Sequence, residues 1–121
     1  MNPGMPARFK DLALDALDHQ ALADWWCRAI GYVRRDSLAD AGDRPAEWPV
    51  PIVDPAGVGP LIWLNPVREP KNGKNRMHLD VVGDRDELLA LGATLVRARD
   101  EEIGWDILAD PEGNEFCAFA P

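Results

Sequence analysis

The sequence has little of what several common classes of protein require. Only two of its 121 residues are cysteine, Cys27 and Cys117, and these are too few and too far apart for a disulfide framework or a zinc-knuckle spacing. Acidic residues outnumber basic ones by 21 to 13, and the net charge of −8 argues against nucleic acid or an anionic membrane as a partner. No apolar run approaches the length of a membrane span, and the first residues lack the apolar segment of a signal peptide. We therefore expect a cytoplasmic protein with reduced thiols.

What the sequence does contain is enough apolar material for a folded core. Hydrophobic residues make up 46% of the chain, and five of them are tryptophans. A chain of this length can bury a core without disulfides or a structural metal. We predict one domain over residues 1–121, built from two similar units at about 9–68 and 76–121 that are joined by an exposed connector at 69–75.

The first unit opens with a predicted strand and helix. Residues 9–17 alternate, with apolar side chains on one face and Asp11 and Asp15 on the other. Asp18 is a residue type that caps helices at the N-terminus, and Gly31 is suited to end one. In between, apolar residues recur at helical spacing, which predicts a buried helix face: Leu22, Trp25, Trp26, Ala29 and Ile30.

The second unit repeats this order. Residues 76–82 alternate again, with Met77, Leu79 and Val81 on one face and His78 and Asp80 on the other. A shorter helix follows, capped by Asp84 or Asp86 and ended at Gly92. The remaining predicted strands are 50–53 and 61–65 in the first unit and 94–99, 105–109 and 115–119 in the second.

The last predicted strand is preceded by a turn with a distinct sequence. Asp110-Pro111-Glu112-Gly113 places Asp, Pro and Gly at the positions that a type I turn favours. The whole pattern, strand, helix and three strands in each unit, predicts an α+β fold with one helix covering one face of each sheet. Two curved sheets can then enclose a cavity, into which we expect Asp11, Asp15, His78 and Asp80 to point.

Three segments of the chain resemble one superfamily of proteins. The run Asp110–Phe116, the strand Arg76–Val81 and the helix that ends in Ile-Gly-Tyr are similar to those of the glyoxalase/bleomycin-resistance/extradiol-dioxygenase group, also called the vicinal oxygen chelate superfamily. The small glyoxalase-like domain proteins within it match best, from residue 9 to residue 119. The resemblance implies paired βαβββ modules that form a cup-shaped β-sheet with the helices on its outer face. It also implies a divalent metal held by a first-strand His, a fifth-strand His or Gln and a Glu on the last strand.

Carried onto this chain, the three metal positions of the superfamily fall on Asp11, His78 and Cys117. Carboxylate, imidazole and thiolate together suit zinc, so a divalent metal at these residues is one hypothesis. The set nevertheless departs from the superfamily pattern at two positions, and a thiolate changes metal preference and invites oxidation. A buried, inert Cys117 is the alternative. We predict that the protein needs no metal cofactor and lacks glyoxalase I activity.

His78 allows two interpretations. A neighbouring carboxylate, Asp80 or Asp11, could orient it as a general acid or base, which makes it the candidate catalytic residue. Because no nucleophile is apparent to complete a mechanism, we favour a cavity histidine that hydrogen-bonds a ligand or a neighbour.

The tryptophans divide into groups. Trp25 and Trp26 are predicted to be core residues because they lie on the helix stripe. Trp63 and Trp105 lie on predicted strands and suit either an aromatic cavity wall or the core of the sheet. Trp48, in the Pro-rich segment 45–51, suits a lid or a dimer contact.

Two classes of function remain open. In the first, the protein is a metal-independent binder of an aromatic or cationic small molecule; in the second, it is a lyase, isomerase or dioxygenase-type enzyme that uses the same cavity. We favour the first and expect a homodimer, as is common in the superfamily. The predicted ligand-binding residues are Asp11, Asp15, Trp63, His78, Asp80, Trp105 and Cys117.

Overall fold

A computed structural model of the chain describes residues 6–37 and 42–121. Its elements, in chain order, are β1 (Leu12–Ala16), α1 (His19–Ile30), β2 (Val33–Arg34), β3 (Val50–Val53), β4 (Ile62–Pro66), β5 (Asp80–Val82), α2 (Arg85–Leu91), β6 (Thr94–Arg97), β7 (Asp106–Ala109) and β8 (Glu115–Phe119). In these two ranges, no helix combines the length and the apolar character needed to cross a membrane.

Each half of the chain forms its own four-stranded sheet. The strand orders are β1-β4-β3-β2 and β5-β8-β7-β6. In both sheets the first strand pairs in parallel with the last, and the other pairs are antiparallel. One helix follows the first strand of each half, so the predicted α+β fold of paired βαβββ units is confirmed. The bounds of the two units, about 9–68 and 76–121, stay a prediction.

Both helices begin and end where the sequence predicts. The Asp18 carboxylate accepts a hydrogen bond from the Ala21 backbone N–H at 3.1 Å, which satisfies one of the free donors of the first turn of α1. Gly31 ends α1 with a φ of 74°, a left-handed conformation that glycine adopts without steric cost. Of the two caps considered for α2, Asp84 is the one found, and its carboxylate accepts from the Asp86 N–H at 2.8 Å.

The two sheets and helix α1 share one hydrophobic core. Trp25 and Trp26 are each only 3% exposed, which confirms their prediction as core residues. Their rings meet edge-to-face with centroids 5.0 Å apart, and the Trp26 ring lies 5.1 Å from that of Phe116 on β8. Alternate residues of β3 and β4, such as Ile52 and Leu64, are fully buried on the same side. Helix α1 thus packs against both halves of the chain.

The turn before β8 connects the halves by hydrogen bonds. The Asp110 carboxylate, 2% exposed, accepts from the Trp26 indole N–H at 3.0 Å and from the backbone N–H groups of Glu112 and Asn114. The Glu112 carboxylate accepts the backbone N–H groups of Leu17 and Asp18 at 2.7 and 2.8 Å. A single turn of the second unit therefore fixes the start and the buried face of α1 in the first.

Several strand limits differ from the predicted ones because side chains take up backbone donors. β1 spans Leu12–Ala16 rather than 9–17, and at its end the Glu112 carboxylate accepts the backbone N–H of Leu17. β6 stops at Arg97 rather than 99, since the Asp106 carboxylate accepts the Arg99 N–H at 2.8 Å. β4 is shifted by one residue, to Ile62–Pro66, and the short β2 has too little pattern of its own to be predicted.

The largest difference lies before β5. Only Asp80–Val82 pair as a strand, whereas 76–82 was predicted. The backbone N–H of Asn75 donates to the Glu115 carboxylate at 3.0 Å instead of joining the sheet. Met77 is 81% exposed, so its predicted place on the core face is wrong. Leu79 and Val81 do pack against the core.

We predict that Asp110→Ala lowers the free energy of unfolding by about 2–4 kcal/mol, because it leaves the buried N–H groups of Trp26 and Asn114 without an acceptor. The measurement is urea unfolding followed by circular dichroism. Asp100→Ala is the matched control: Asp100 also accepts two backbone N–H groups, from Glu102 and Ile103, but in an exposed loop. Equal losses in the two variants would contradict the role assigned to Asp110.

Candidate functional site

Four of the predicted site residues lie on strands, on the faces of the sheets that the helices leave uncovered: Asp15, Trp63, Asp80 and Cys117. The other three, Asp11, His78 and Trp105, lie just before β1, β5 and β7. In the first sheet, Ala13 pairs with Trp63 and Asp15 with Asn65, opposite the buried faces of β1 and β4. In the second sheet, Asp80 pairs with Cys117, opposite the face that carries Phe116. Alternation along the strands therefore separates core residues from site residues, as the sequence predicts.

Asp11 and Trp63 are bound to each other on the first sheet. The Trp63 indole N–H donates to Asp11 Oδ2 at 3.0 Å, and Lys10 Nζ donates to the same oxygen at 2.7 Å. The hydrogen bond from Lys10, and next that from Trp63, hold the pKa of Asp11 below its ordinary value. Asp15, at the other end of β1, lines a separate hollow of about 370 Å³ together with Glu112 and Lys71.

The second sheet carries a compact group of three side chains, His78, Asp80 and Cys117, which we call the His–Asp–Cys cluster. His78 Nδ1 lies 3.3 Å from Asp80 Oδ1 and 3.8 Å from Cys117 Sγ. One donor atom from each residue falls within 4.8 Å of the others. The sulfur is buried, whereas the imidazole and the carboxylate reach solvent.

The surroundings of Cys117 favour its neutral thiol. Burial raises the pKa of Cys117 above its ordinary value, and the charge and hydrogen bonding of Asp80 raise it further. The Trp105 side chain opposes this rise in pKa. Trp105 itself is half-buried over Phe119, with ring centroids 5.4 Å apart. It therefore belongs to the wall of the cluster.

A cavity of about 420 Å³ lies where the two halves meet, between β1 and residues 75–79; we call it the seam cavity. Three ionisable side chains line it: Asp11, His78 and Glu115. Its walls are otherwise mainly apolar, and the hydrophobic side chains are Phe9, Leu12, Leu14, Trp26, Ile62, Met77, Leu79 and Phe116. A concave, mainly apolar space with a few polar groups is the common form of a small-molecule site.

Glu115 was not among the predicted site residues. The Asn75 N–H and Lys71 Nζ each donate to its carboxylate at 3.0 Å. The Asn75 hydrogen bond, more than that of Lys71, holds the pKa of Glu115 below its ordinary value. Alternation along β8 places Glu115 on the same face as Cys117, and this was the only feature of the sequence that indicated Glu115 as a site residue.

The seven predicted ligand-binding residues thus fall into separate places. Asp11 and His78 line the seam cavity, Asp15 and Asp80 line other hollows, and Trp63 is tied to Asp11. The metal hypothesis had placed Asp11 with His78 and Cys117. In the part of the chain that the structure describes, the group with that composition contains Asp80 in place of Asp11.

We predict that Asp80→Asn shifts the pH dependence of Cys117 alkylation to lower pH, because the change removes a negative charge that raises the thiol pKa. The measurement is the iodoacetamide reaction rate against pH, with chelator present and Cys27 replaced by Ser. Asp11→Asn is the control and should leave the profile unchanged. An unchanged or upward-shifted profile in Asp80→Asn would show that Asp80 does not act on the thiol.

Comparison with known proteins places this geometry in a family. A family model described as a glyoxalase-like domain matches residues 11–119. No curated protein sequence matches the chain. A glyoxalase/bleomycin resistance protein/dioxygenase family enzyme from Burkholderia phytofirmans PsJN superposes with a TM-score of 0.69, at 19% identity over 94% of this chain and 98% of that one.

Two further solved structures are similar over nearly their whole length. A superfamily member from Sphaerobacter thermophilus DSM 20745 has a TM-score of 0.60 and 17% identity, covering 95% of this chain and 98% of its own. TioX from Micromonospora sp. ML1 has a TM-score of 0.55 and 18% identity, with 93% and 97% covered. At such identities the likeness concerns the fold alone. With the family model spanning nearly the whole chain, the protein belongs to the glyoxalase-like domain family.

Proposed function

We propose that this protein binds a small molecule with a flat apolar body and a positive charge, and that the seam cavity is its site. The observation that carries the proposal is a mainly apolar cavity of about 420 Å³ with the carboxylates of Asp11 and Glu115 among its lining groups. This volume lies within the range of about 300–1,000 Å³ that is usual for small-molecule sites.

The shape and chemistry of the walls support an aromatic ligand. The exposed ring of Phe9 forms part of the lining, and an aromatic ring favours stacked or edge-to-face contact with a second ring system. Phe9 and Met77, which line the same cavity, are 70% and 81% exposed. A bound ligand that covered these two side chains would gain the free energy of removing apolar surface from water.

The charge of the site supports a cationic ligand. The chain carries a net charge of −8, which attracts cations at long range. Lys71 and the Asn75 N–H already bind the Glu115 carboxylate, so Asp11 is the acidic group that we assign to the ligand. On Asp11, both partners bind the single oxygen Oδ2, and the exposed Lys10 can be displaced.

We predict that proflavine, a flat aromatic cation, binds more tightly than acridine, its uncharged parent, and quenches tryptophan fluorescence. Asp11→Asn should weaken proflavine binding by about threefold to tenfold, because one partly exposed charge contact is lost, and should leave acridine binding unchanged. The measurement is a fluorescence titration of each dye at two salt concentrations.

Asp15→Asn is the matched control for this titration. Asp15 lies on β1, four residues after Asp11, but it lines a different hollow. Its replacement should leave both affinities unchanged. Equal effects of the two variants would reduce the role of Asp11 to general surface charge, and failure of either dye to bind would count against the seam cavity.

An enzyme that uses the same cavity is the second candidate, and one observation favours it. The imidazole of His78 lines the seam cavity and lies 3.3 Å from the Asp80 carboxylate, which is a geometry suited to an oriented general acid or base. A lyase, isomerase or dioxygenase-type reaction would be the class expected from the scaffold. The proposal remains a binding protein because the nearest nucleophile to His78, the Cys117 sulfur at 3.8 Å, is buried and its pKa is raised, which disfavours the reactive thiolate.

We predict that the protein does not convert the methylglyoxal–glutathione adduct, with or without added Zn²⁺, Ni²⁺ or Mn²⁺. The physical reason is that Asp11 and Cys117 replace two of the three ligands that this chemistry uses in the superfamily, and that Asp11 is held by Trp63. The assay follows thioester formation by absorbance. Turnover that disappeared in His78→Ala would establish the enzyme instead.

The exposed Phe9 and Met77 are also a surface that a second copy of the chain could cover, so the homodimer is retained as part of the proposal. A monomer mass in light scattering would rule it out. The cytoplasmic location remains a prediction of the sequence.

A further inference from the structure

We propose that the His–Asp–Cys cluster is a zinc site carried entirely by the second sheet, with His78, Asp80 and Cys117 as its protein ligands. The inference goes beyond the proposed function and does not depend on it. The superfamily pattern places one ligand on the first strand of the chain, at Asp11. In the proposed site Asp80, the neighbour of Cys117 in the same sheet, is the third ligand in place of Asp11.

The two donor separations that involve His78 are close to those around a tetrahedral ion, and the donor atoms of Asp80 and Cys117 lie within 4.8 Å of each other. With Zn–N and Zn–O bonds of about 2.0–2.1 Å, two such ligands lie about 3.3 Å apart, and an imidazole nitrogen and a thiolate lie about 3.5 Å apart. The observed separations are 3.3 Å from His78 Nδ1 to Asp80 Oδ1 and 3.8 Å from Nδ1 to Cys117 Sγ. Side-chain movements of a few tenths of an ångström would complete the geometry for these pairs.

Backbone pairing holds two of the ligands in register. Asp80 on β5 lies directly beside Cys117 on β8, in the parallel pair of strands. The Cys117 N–H donates to the Leu79 carbonyl at 2.9 Å, which fixes the strand next to the ligand pair. His78 precedes Asp80 by two residues and shares its side of the chain. The cluster therefore requires no movement of one half of the protein against the other.

The ligand types favour zinc over the harder cations. A thiolate and an imidazole are preferred by Zn²⁺ and Co²⁺, whereas Mg²⁺, Ca²⁺ and Mn²⁺ prefer oxygen ligands. Three protein ligands leave one position of a tetrahedron for water, and the solvent exposure of His78 and Asp80 provides room for it.

Asp11 does not fit this site. Its carboxylate is held on the first sheet by the Trp63 indole, at 3.0 Å, and by Lys10. Recruiting it would break the hydrogen bond to Trp63. The two alternative ligand sets, with Asp80 or with Asp11, can therefore be separated by single substitutions.

The test is a titration of the metal-free, full-length protein with Co²⁺, followed by absorption. The wild type should bind one equivalent, with a near-ultraviolet thiolate-to-cobalt charge-transfer band and intense tetrahedral visible bands. Zn²⁺ should abolish both, and Mg²⁺ should not.

Matched variants assign the ligands. Cys117→Ser should abolish the charge-transfer band, whereas Cys27→Ser should leave it intact. Asp80→Asn should weaken Co²⁺ binding by more than about tenfold, and Asp11→Asn should leave the affinity unchanged. Asp80 is exposed, so its replacement tests the site even if the buried Cys117 variant is poorly folded in circular dichroism.

Three results would overturn the proposal. They are the absence of the band in saturated wild type, a band that depends on Cys27 rather than Cys117, and an affinity lowered by Asp11→Asn but not by Asp80→Asn. Since the seam-cavity test measures dye binding by fluorescence and this test measures cobalt absorption, either proposal can fail without the other.

Discussion

The buried carboxylate of Asp110 is the constraint on which the arrangement of the two halves depends. It closes the turn before β8 through two backbone N–H groups, and it accepts the indole N–H of Trp26 from helix α1. Two residues further along the chain, Glu112 accepts the backbone N–H groups of Leu17 and Asp18 just before that helix. The same carboxylate therefore stabilises the turn that leads into β8 and a contact between the two halves of the chain.

The contact between the turn and helix α1 determines where the seam cavity lies. Helix α1 packs its tryptophans against Phe116 of the second sheet, which brings β1 close to residues 75–79. β1 and β5 are the edge strands that open the two sheets, and they do not pair with each other. The space that remains between them is apolar, since core side chains of both halves reach it, and its polar groups come from the ends of the strands.

The chemistry of the scaffold is redistributed in this chain. The position that carries a glutamate in the superfamily pattern is Cys117, and the position of the first-strand histidine is Asp11. In the structure Asp11 accepts a hydrogen bond from Trp63, and Cys117 has Asp80 and His78 as neighbours. The polar residues therefore form one carboxylate–indole pair on the first sheet and one three-residue cluster on the second. This division separates the residues of the two proposals, one for a small molecule and one for a metal.

Much of the local structure followed from residue types and their spacing. Asp18 and Gly31 bound a helix because one supplies an acceptor for free N–H groups and the other takes a left-handed φ. Val50–Val53 and Glu115–Phe119 were predicted at their exact limits, since alternation and flanking turns define a strand locally. The face on which His78, Asp80 and Cys117 lie also followed from alternation, which requires no knowledge of the partner strand.

What the sequence by itself determined was the order of the elements, the face of each residue and the family pattern of the Asp110–Phe116 turn. Only the tertiary structure decided which groups on those faces meet. Asp11 and Asp80 are equivalent in type and alternation, but Asp80 lies beside Cys117 because β5 pairs with β8, while Asp11 lies beside Trp63 because β1 pairs with β4. Met77 is exposed because β5 starts only at Asp80, so that Met77 lies outside the sheet. Strand pairing joins residues far apart in the chain, and alternation within one segment carries no information about which segment will be its neighbour.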